Sequence, residues 1–440
     1  MEIRVLTMKF QKLIQSVSVL LLFLLLNACQ LASESDEDKK VTVENDEEVL
    51  AERVTYSEEN IVIESEEENT LVSPKPLGKA DASAITLTLV AEVEPPELDG
   101  ETLQATEIRI SGNKAFVSYN VAGEVFKGAV EIFNITDPLT PELISSAKFS
   151  DSDVNGLSIH GNDLYLASAS NSSDYASPAI LQNIKITGGK LSSDINIIDL
   201  PSYAATDVDV SGNFIYVTSG ADGGYVSVFK QSDLTLHNSY AVEDARSVDS
   251  DSKDIAVLAG TNGVDGVSAK LVTFDPDLGE IQDEFELTGA TIKHAKSTIE
   301  VKKDKAILAM SDDGTQVVCL ATGDVIHQFD LPIVDGLDET LTVANAATAY
   351  KRSIFMANGE AGVYVAVNNE NLDKKGCEVD GLALAGKLQL NDILLDDAGE
   401  RQSINHIVYR HDMLFIAAGL GGLKIIKVDD SIATDDMDDE

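Results

Sequence analysis

Polar or charged residues recur through the middle of the chain at intervals of 40 to 60 residues. They are Thr106, Asn155, Thr206, Arg246, Lys296, Asn345 and Asn405. If the elements that carry them surround a common centre, these side chains converge as a rim of the kind that binds small ligands. Arg246 and Lys296 would make such a rim receptive to an anion or a carboxylate, and His406 would lie beside it. Alternatively, the polar groups bind only water or a neighbouring backbone.

Acid–base chemistry has one candidate set next to this rim. His406, Glu107 and Asp207 each directly follow one of the recurring polar residues, and a histidine with two carboxylates can exchange protons with a substrate. The chain contains no Gly-x-Ser-x-Gly nucleophile elbow and no Gly-x-x-x-x-Gly-Lys-Ser/Thr phosphate loop. We therefore expect no catalysis. A hydrolase or lactonase that uses these three residues is the alternative.

Metal chemistry has a weak candidate in the alternating carboxylates Asp249, Asp251 and Asp254. Carboxylate oxygens suit Ca²⁺, but the segment does not continue to the glycine and distal glutamate of an EF-hand loop. A solvated turn is the alternative. No Cys-x-x-Cys pair is present to hold zinc. The sequence predicts no cofactor, with Ca²⁺ as the one ion to consider.

The charge of the chain excludes several kinds of partner. There are 75 acidic residues against 32 basic ones among 440, which gives a net charge of −43. Nucleic-acid binding needs a basic surface, and so does attachment to anionic lipid through a polybasic face. The hydrophobic content of 44% is that of a chain with a buried core.

The N-terminus has the pattern of an export signal. Arg4, Lys9 and Lys12 precede an apolar run of about 14 residues, shorter than the roughly 20 that a membrane-spanning helix needs. The run ends in Leu26-Asn27-Ala28-Cys29, which resembles the lipobox of bacterial lipoproteins. The resemblance implies a signal peptide over residues 1–28, acylation of Cys29 and sorting to the outer membrane, facing the periplasm or the surface. An ordinary signal peptide with a chance cysteine is the alternative.

Acidic segments follow the signal and end the chain. Fifteen acidic and three basic residues lie between Leu31 and Thr70. Because like charges at this density repel, residues 29–83 are predicted to be a disordered tether. Residues 431–440 are predicted to be an acidic tail.

The segment between these ends is built from a repeat of strand, tight turn and strand. Residues 206–217 alternate apolar and polar side chains, turn at Ser211-Gly212-Asn213 and become apolar again. Seven copies align at Phe116, Tyr165, Tyr216, Ala256, Ala306, Phe355 and Phe415. About 50 residues per copy suit four short strands, which is one blade of a β-propeller. The last copy lacks a fourth strand, and the segment 85–93 supplies one that would close the ring.

The motifs resemble those of the LVIVD-repeat β-propellers of bacterial cell-surface proteins. The residues that carry the resemblance are 210–217, with the Ser-Gly-Asn turn, and the strands at 128–138 and 422–429. It covers residues 84–430 and implies an all-β, seven-bladed propeller of four-stranded blades. The absence of Trp departs from WD40 repeats.

Two cysteines remain when Cys29 is assigned to lipid. Cys319 and Cys377 fall in the fifth and sixth copies, and an exported compartment permits their pairing. Two unpaired thiols are the alternative. Together these features predict a monomeric, lipid-anchored propeller that binds a protein or glycan partner and does not bind nucleic acid.

Overall fold

The structure is a computed structural model that describes residues 40–64, 85–123, 125–220, 223–293, 295–390 and 401–430. The predicted signal peptide, Cys29 and the acidic tail at 431–440 lie outside the described residues. The described residues include no helix with the length and apolar character of a membrane span.

The described chain folds into seven antiparallel sheets that are the blades of a β-propeller, so the predicted fold class is confirmed. The strands of each blade are given from the channel outward. Blade 1 contains Gln104–Ser111, Lys114–Asn120, Gly128–Asn134 and Glu142–Phe149, and blade 2 contains Ser152–His160, Asp163–Ser170, Ala179–Thr187 and Lys190–Asp199. Blade 3 contains Ala204–Ser211, Phe214–Gly220, Tyr225–Lys230 and Leu236–Ala241, and blade 4 contains Ala245–Asp251, Asp254–Ala259, Ala269–Asp275 and Glu280–Leu287.

Blades 5 to 7 follow the same order. Blade 5 contains Ile299–Lys302, Lys305–Ala309, Thr315–Cys319 and Val325–Phe329, and blade 6 contains Ala346–Tyr350, Ser353–Ala357, Val363–Val367 and Ala383–Leu388. Blade 7 contains His406–Arg410, Met413–Ala417, Leu423–Asp430 and Ile85–Val93. A small two-stranded sheet, Glu97–Leu98 with Glu101–Thr102, and a 3-10 helix, Glu339–Leu341, lie in loops between blades.

The ring is closed by the strand that precedes the first copy. Ile85–Val93 pairs with Leu423–Asp430, with Ala91 opposite Ile425, and becomes the fourth strand of blade 7. Closure in this way joins the two ends of the propeller domain within one sheet and leaves no blade incomplete. The strand arithmetic of the sequence predicts this arrangement, and the structure confirms it.

The aromatic residue of the repeat fills the core between blades. Tyr216 and Phe355 are completely buried, and Phe116 and Phe415 almost so. Phe116 packs with Phe149 and Leu164, which belong to blades 1 and 2. Local turns place these residues, since Gly212 has φ of +59° in the two-residue turn that joins Ser211 to Phe214.

Residues 41–64 differ from the predicted tether, because they form part of the propeller. Val41–Glu44 adds a fifth strand to blade 1, Val54–Ile61 adds one to blade 7, and Ile63–Glu64 adds one to blade 6. The helix Glu47–Ala51 lies between the first two. The prediction of a disordered tether is wrong for this segment; residues 29–39 and 65–83 lie outside the described residues.

Hydrogen bonding and burial explain why charge repulsion does not keep this segment extended. The outer edges of blades 1, 7 and 6 offer unpaired backbone groups, which an added strand satisfies. Leu50 and Ile61 are buried against the blades. Arg53 pairs with the fully buried Glu131 of blade 1 at 2.5 Å. The segment therefore also neutralises a buried carboxylate, which in addition accepts a hydrogen bond from the uncharged Ser146 hydroxyl at 2.9 Å.

Candidate functional site

The recurring polar residues join each blade to the next. Their hydrogen bonds to backbone carbonyls of the following blade run from Thr106 Oγ1 to Val154 (3.0 Å), from Asn155 Nδ2 to Ala205 (2.9 Å), from Thr206 Oγ1 to Ala245 (2.8 Å), from Asn345 Nδ2 to Ile404 (2.9 Å) and from Asn405 Nδ2 to Ala105 (2.9 Å). The last bond joins blade 7 to blade 1. Sequence analysis left two roles open for these residues, ligand binding and hydrogen bonding to water or a neighbouring backbone. The structure uses their donor groups for hydrogen bonds to the backbone of the next blade.

Arg246 also holds blades together. Its guanidinium donates to Asp244 Oδ2 at 2.7 and 3.0 Å and to Ser297 Oγ at 3.1 Å, and the residue is only 7% exposed. A buried carboxylate therefore already compensates this cation. It offers no unpaired charge to an anionic ligand.

Lys296 is placed differently from its predicted equivalents. In blade 5 Lys302 pairs with Lys305, so the turn between the first two strands contains two residues. The position equivalent to Phe116 of blade 1 is therefore Ile307, not Ala306. The recurring polar residue of blade 5 is therefore Ser297, not Lys296. Lys296 crosses the channel instead, with Nζ 3.4 Å from Glu107 Oε2 and 3.3 Å from the carbonyl of Asn155.

Arg109 occupies the centre of the channel, a role that the repeat pattern does not indicate. Its guanidinium lies 3.0 Å from Glu107 Oε1, 3.1 Å from Asp249 Oδ1 and 3.7 Å from Asp207 Oδ1. These residues come from blades 1, 3 and 4. A cation thus links three inner strands, and breaking such a buried pairing costs several kcal/mol.

Gly156 of blade 2 makes room for this cluster. It stands at the position that carries Glu107 in blade 1 and Asp207 in blade 3. A Cβ at Gly156 would lie 2.8 Å from Asp207 Oδ1 and 3.1 Å from Glu107 Oε2. The two carboxylates therefore approach each other across the space that a side chain would fill.

Burial perturbs the titration of the cluster. It raises the pKa of Glu107 to about 7, with repulsion from Asp207 adding to the effect while Arg109 and Lys296 oppose it. Burial likewise raises the pKa of Asp249 to about 8 against the attraction of Arg109. Burial holds the pKa of His406 well below its usual range, and the nearby cations strengthen this, so the imidazole is neutral at pH 7.

Two cavities open on the channel. The upper one, of about 340 Å³, lies where the inner strands begin. It is lined by most of the predicted rim, namely Thr106, Asn155, Thr206, Arg246, Lys296 and Asn405, but not by Asn345 or His406. The lower cavity, of about 630 Å³, lies at the opposite end and is lined by Arg109, Asp249 and His406 among others.

The candidate catalytic set is divided between these cavities. Glu107 and Asp207 line the upper cavity, whereas His406 lines the lower one. His406 Nδ1 is buried and has no hydrogen-bond partner in the described residues. The carboxyls are occupied as well: Asp207 Oδ2 accepts hydrogen bonds from Ser247 Oγ at 2.6 Å and from the Val248 amide at 3.0 Å. Among the described residues, no carboxylate is therefore hydrogen-bonded to the histidine so as to orient it as a general base requires.

The calcium candidates serve as further links between blades. Asp249 Oδ2 accepts the amide of Val301 at 2.7 Å, and Asp251 Oδ2 accepts the amide of Lys303 at 3.1 Å. Asp254 lies opposite Asp251 across the hairpin. Within the described ranges, no cluster of three or more His, Cys, Asp or Glu is arranged to hold a metal ion.

Cys319 and Cys377 form a disulfide with a Cα–Cα distance of 5.2 Å. It links the third strand of blade 5 to the long loop of blade 6 between Val367 and Ala383. Lys305, itself buried, donates to the carbonyls of Lys374 and Gly376 in the same loop. The loop is therefore held to blade 5 at two places.

Exposed apolar side chains mark a surface that the sequence did not reveal. We call the end where the inner strands begin the upper face; it carries the loops between second and third strands and those between blades. Eight of the sixteen exposed large apolar residues in the described chain lie in these loops: Val125, Tyr203, Val264, Val267, Ile292, Ile333, Leu341 and Leu420. Only Leu139 and Leu278 lie in the turns of the opposite, lower face. The two faces are thus chemically distinct.

The chain resembles solved propellers in fold. The WD40 repeats of RRP9 align with a TM-score of 0.52 and 12% identity over 79% of this chain and 98% of that one. U3-55K aligns with the same score and identity over 79% and 99%. No protein-family model and no curated protein matches the chain. At this identity the similarity shows the seven-bladed propeller fold alone.

Proposed function

We propose that the chain is an exported bacterial lipoprotein, anchored through Cys29, whose propeller binds a partner protein through the upper face. The leader and the Leu-Asn-Ala-Cys motif support the anchor. The resemblance to LVIVD-repeat proteins supports the same location. The anchor joins the chain to a membrane by acyl groups, so the binding face itself need not contact lipid.

One observation carries the binding role: the exposed apolar side chains are concentrated on the upper face. Apolar surface gains free energy when another apolar surface covers it, and large exposed patches mark interaction sites. Seven of these eight residues are aliphatic and the eighth is Tyr203. This composition favours a protein over a glycan, because a glycan presents mainly hydroxyl groups.

The polar channel contributes to stability in this proposal. Its donors and carboxylates are used between blades, so the channel stiffens the ring that presents the loops. The alternative of a hydrolase or lactonase has one supporting observation, the raised pKa of Glu107 beside a cavity. His406 lines a different cavity from Glu107 and Asp207, and its Nδ1 has no hydrogen-bond partner among the described residues. Both observations favour the structural role, and we propose no enzymatic activity.

Photo-crosslinking in the producing cells tests the binding role. A photoreactive amino acid replaces Ile333, which is 93% exposed on the upper face, and, as the control, Leu139 on the lower face. We expect discrete protein adducts from the Ile333 position and none from Leu139. Adducts from Leu139 alone, or from neither position, would contradict the proposal.

Metabolic labelling tests the anchor separately. We expect labelled palmitate to be incorporated into the wild-type chain and to be lost in the Cys29→Ala variant. Continued labelling of that variant would refute lipidation at Cys29.

A further inference from the structure

The loops over blades 4, 5 and 6 form one continuous surface on the upper face. Backbone hydrogen bonds connect them: the Thr261 amide donates to Ala290 (3.1 Å), the Ala290 amide to Met310 (2.8 Å), the Ser311 amide to Ala344 (3.1 Å) and the Glu360 amide to Leu341 (3.1 Å). We define the acidic–apolar patch as residues 260–268, 288–298, 310–314, 330–345 and 358–362. His294 lies outside the described residues and is not included. Each loop is fixed to its neighbour, so the patch is a preformed surface.

The apolar part of this patch is substantial. It contains five of the eight exposed upper-face residues, namely Val264, Val267, Ile292, Ile333 and Leu341. Ile333 is 93% exposed, although Val334 and Leu337 beside it pack into the core between blades. The segment that holds Ile333 outward is therefore itself anchored.

The charge of the patch is strongly one-sided. Its acidic residues are Asp265, Asp312, Asp313, Asp330, Asp335, Asp338, Glu339 and Glu360, against only Lys293 and Lys296. Lys296 is directed into the channel towards Glu107. The lower-face turns of the same three blades carry seven acidic and six basic residues, so the imbalance belongs to the upper face.

Several of these carboxylates lack a compensating cation. Asp330, Asp335 and Glu339 are exposed and form no ion pair with any described residue. Asp338 accepts the Thr340 amide at 2.9 Å and caps the 3-10 helix, so it has a structural role. An arriving basic group would therefore meet negative charge that no described cation neutralises.

We propose that the acidic–apolar patch binds a cationic amphipathic segment of the partner protein. Aliphatic side chains of such a segment would cover Ile333 and Leu341, while its Lys or Arg side chains would pair with Asp330, Asp335 and Glu339. Complementary charge of this kind speeds association and selects the partner. This inference rests on the proposed function and specifies the chemistry of the partner.

Titration with synthetic peptides tests this specificity. The probe is an amphipathic helix of Lys and Leu, and its counterpart is a helix of Glu and Leu of the same length; binding to the purified domain is followed by fluorescence anisotropy. The test variant Asp330→Asn/Asp335→Asn/Glu339→Gln retains the Asp338 cap. The control variant is Glu280→Gln/Asp283→Asn/Glu286→Gln, which removes the same charge from the exposed outer strand of blade 4.

We expect the Lys/Leu peptide to bind and the Glu/Leu peptide not to bind. Removing three surface charges at about two- to threefold each should weaken binding about 8- to 27-fold in the test variant, and less than twofold in the control. Ile333→Ser should also weaken it. Absence of Lys/Leu binding, or equal weakening in both charge variants, would overturn the inference.

The crosslinking result separates this inference from the proposed function. If Ile333 crosslinks a partner but the peptide pattern fails, the upper face binds a protein of different charge, and only the cationic partner is refuted. If the peptide pattern holds but Ile333 yields no adduct in cells, the binding function itself is refuted.

Discussion

Replacing Glu107 with Gln removes a carboxyl group that titrates inside the channel. Burial, with repulsion from Asp207, raises its pKa from 4.5 to about 7 although Arg109 and Lys296 lie nearby. In the unfolded chain the same group has its ordinary pKa. The folded protein therefore holds a proton that the unfolded chain releases over this pH range.

The sign of the effect on stability follows from this difference. A group whose folded pKa is raised contributes stability that is fully present below its unfolded pKa and is lost as the pH rises through its folded pKa. Each pKa unit corresponds to about 1.4 kcal/mol. The Glu107 carboxyl should therefore contribute about 3 kcal/mol to the free energy of unfolding near pH 4 that is absent near pH 8.

Urea denaturation at pH values from 4 to 8 measures this contribution. Between these limits, the free energy of unfolding of the wild type should decrease by about 3 kcal/mol more than that of Glu107→Gln. Glu280→Gln, at an exposed site on blade 4, should follow the wild type. Identical pH profiles for the wild type and Glu107→Gln would refute the argument that burial controls this carboxyl.

Three other substitutions test the contacts that hold the ring together. Gly156→Ala places a Cβ 2.8 Å from Asp207 Oδ1 and should lower the free energy of unfolding by about 2 kcal/mol; a variant as stable as the wild type would show that the space is not tight. Asn405→Ala removes the side-chain hydrogen bond from blade 7 to blade 1 and should lower the free energy of unfolding by about 1 kcal/mol in the same urea assay. An unchanged free energy of unfolding would contradict a role of Asn405 in closing the ring. Cys319→Ser/Cys377→Ser removes the disulfide between residues 58 apart in sequence and should lower the free energy of unfolding by about 2–4 kcal/mol. Dithiothreitol should lower the Tm of the wild type but not of the variant; an equal effect on both would contradict a stabilising disulfide.

The fold could be predicted from the sequence because its signals are local. Alternating side chains, Gly-containing turns and a recurring aromatic residue each act within about a dozen residues, and seven copies reinforce one another. Counting strands was enough to assign residues 85–93 to blade 7. In blade 5 the turn at Lys303-Asp304 lacks glycine, and the alignment was wrong there by one residue.

Residues 41–64 show where charge composition misleads. The density of acidic residues predicts an extended chain, but strands added to sheet edges can keep their charged side chains in water. The strand Val54–Ile61 buries Ile61, and the helix Glu47–Ala51 buries Leu50. Arg53 finds its partner, Glu131, 78 residues away. A count of charges along the chain does not contain that pairing.

The candidate site was predictable in position but not in role. The sequence shows polar residues at one place in each repeat, yet the carbonyls that accept their hydrogen bonds lie on another blade. For Asn405 the acceptor is 300 residues distant. Arg109 and the exposure of Ile333 likewise depend on how the blades come together.

Hydrogen exchange measured by mass spectrometry tests the claim that the upper face is the binding surface. The chain is compared in membranes prepared from the producing cells and as the purified domain. We predict slower exchange in the membranes for residues 260–268, 288–298 and 330–345, and unchanged exchange for the lower-face turns. Slower exchange confined to the lower turns, or to the strands that line the channel, would contradict the claim.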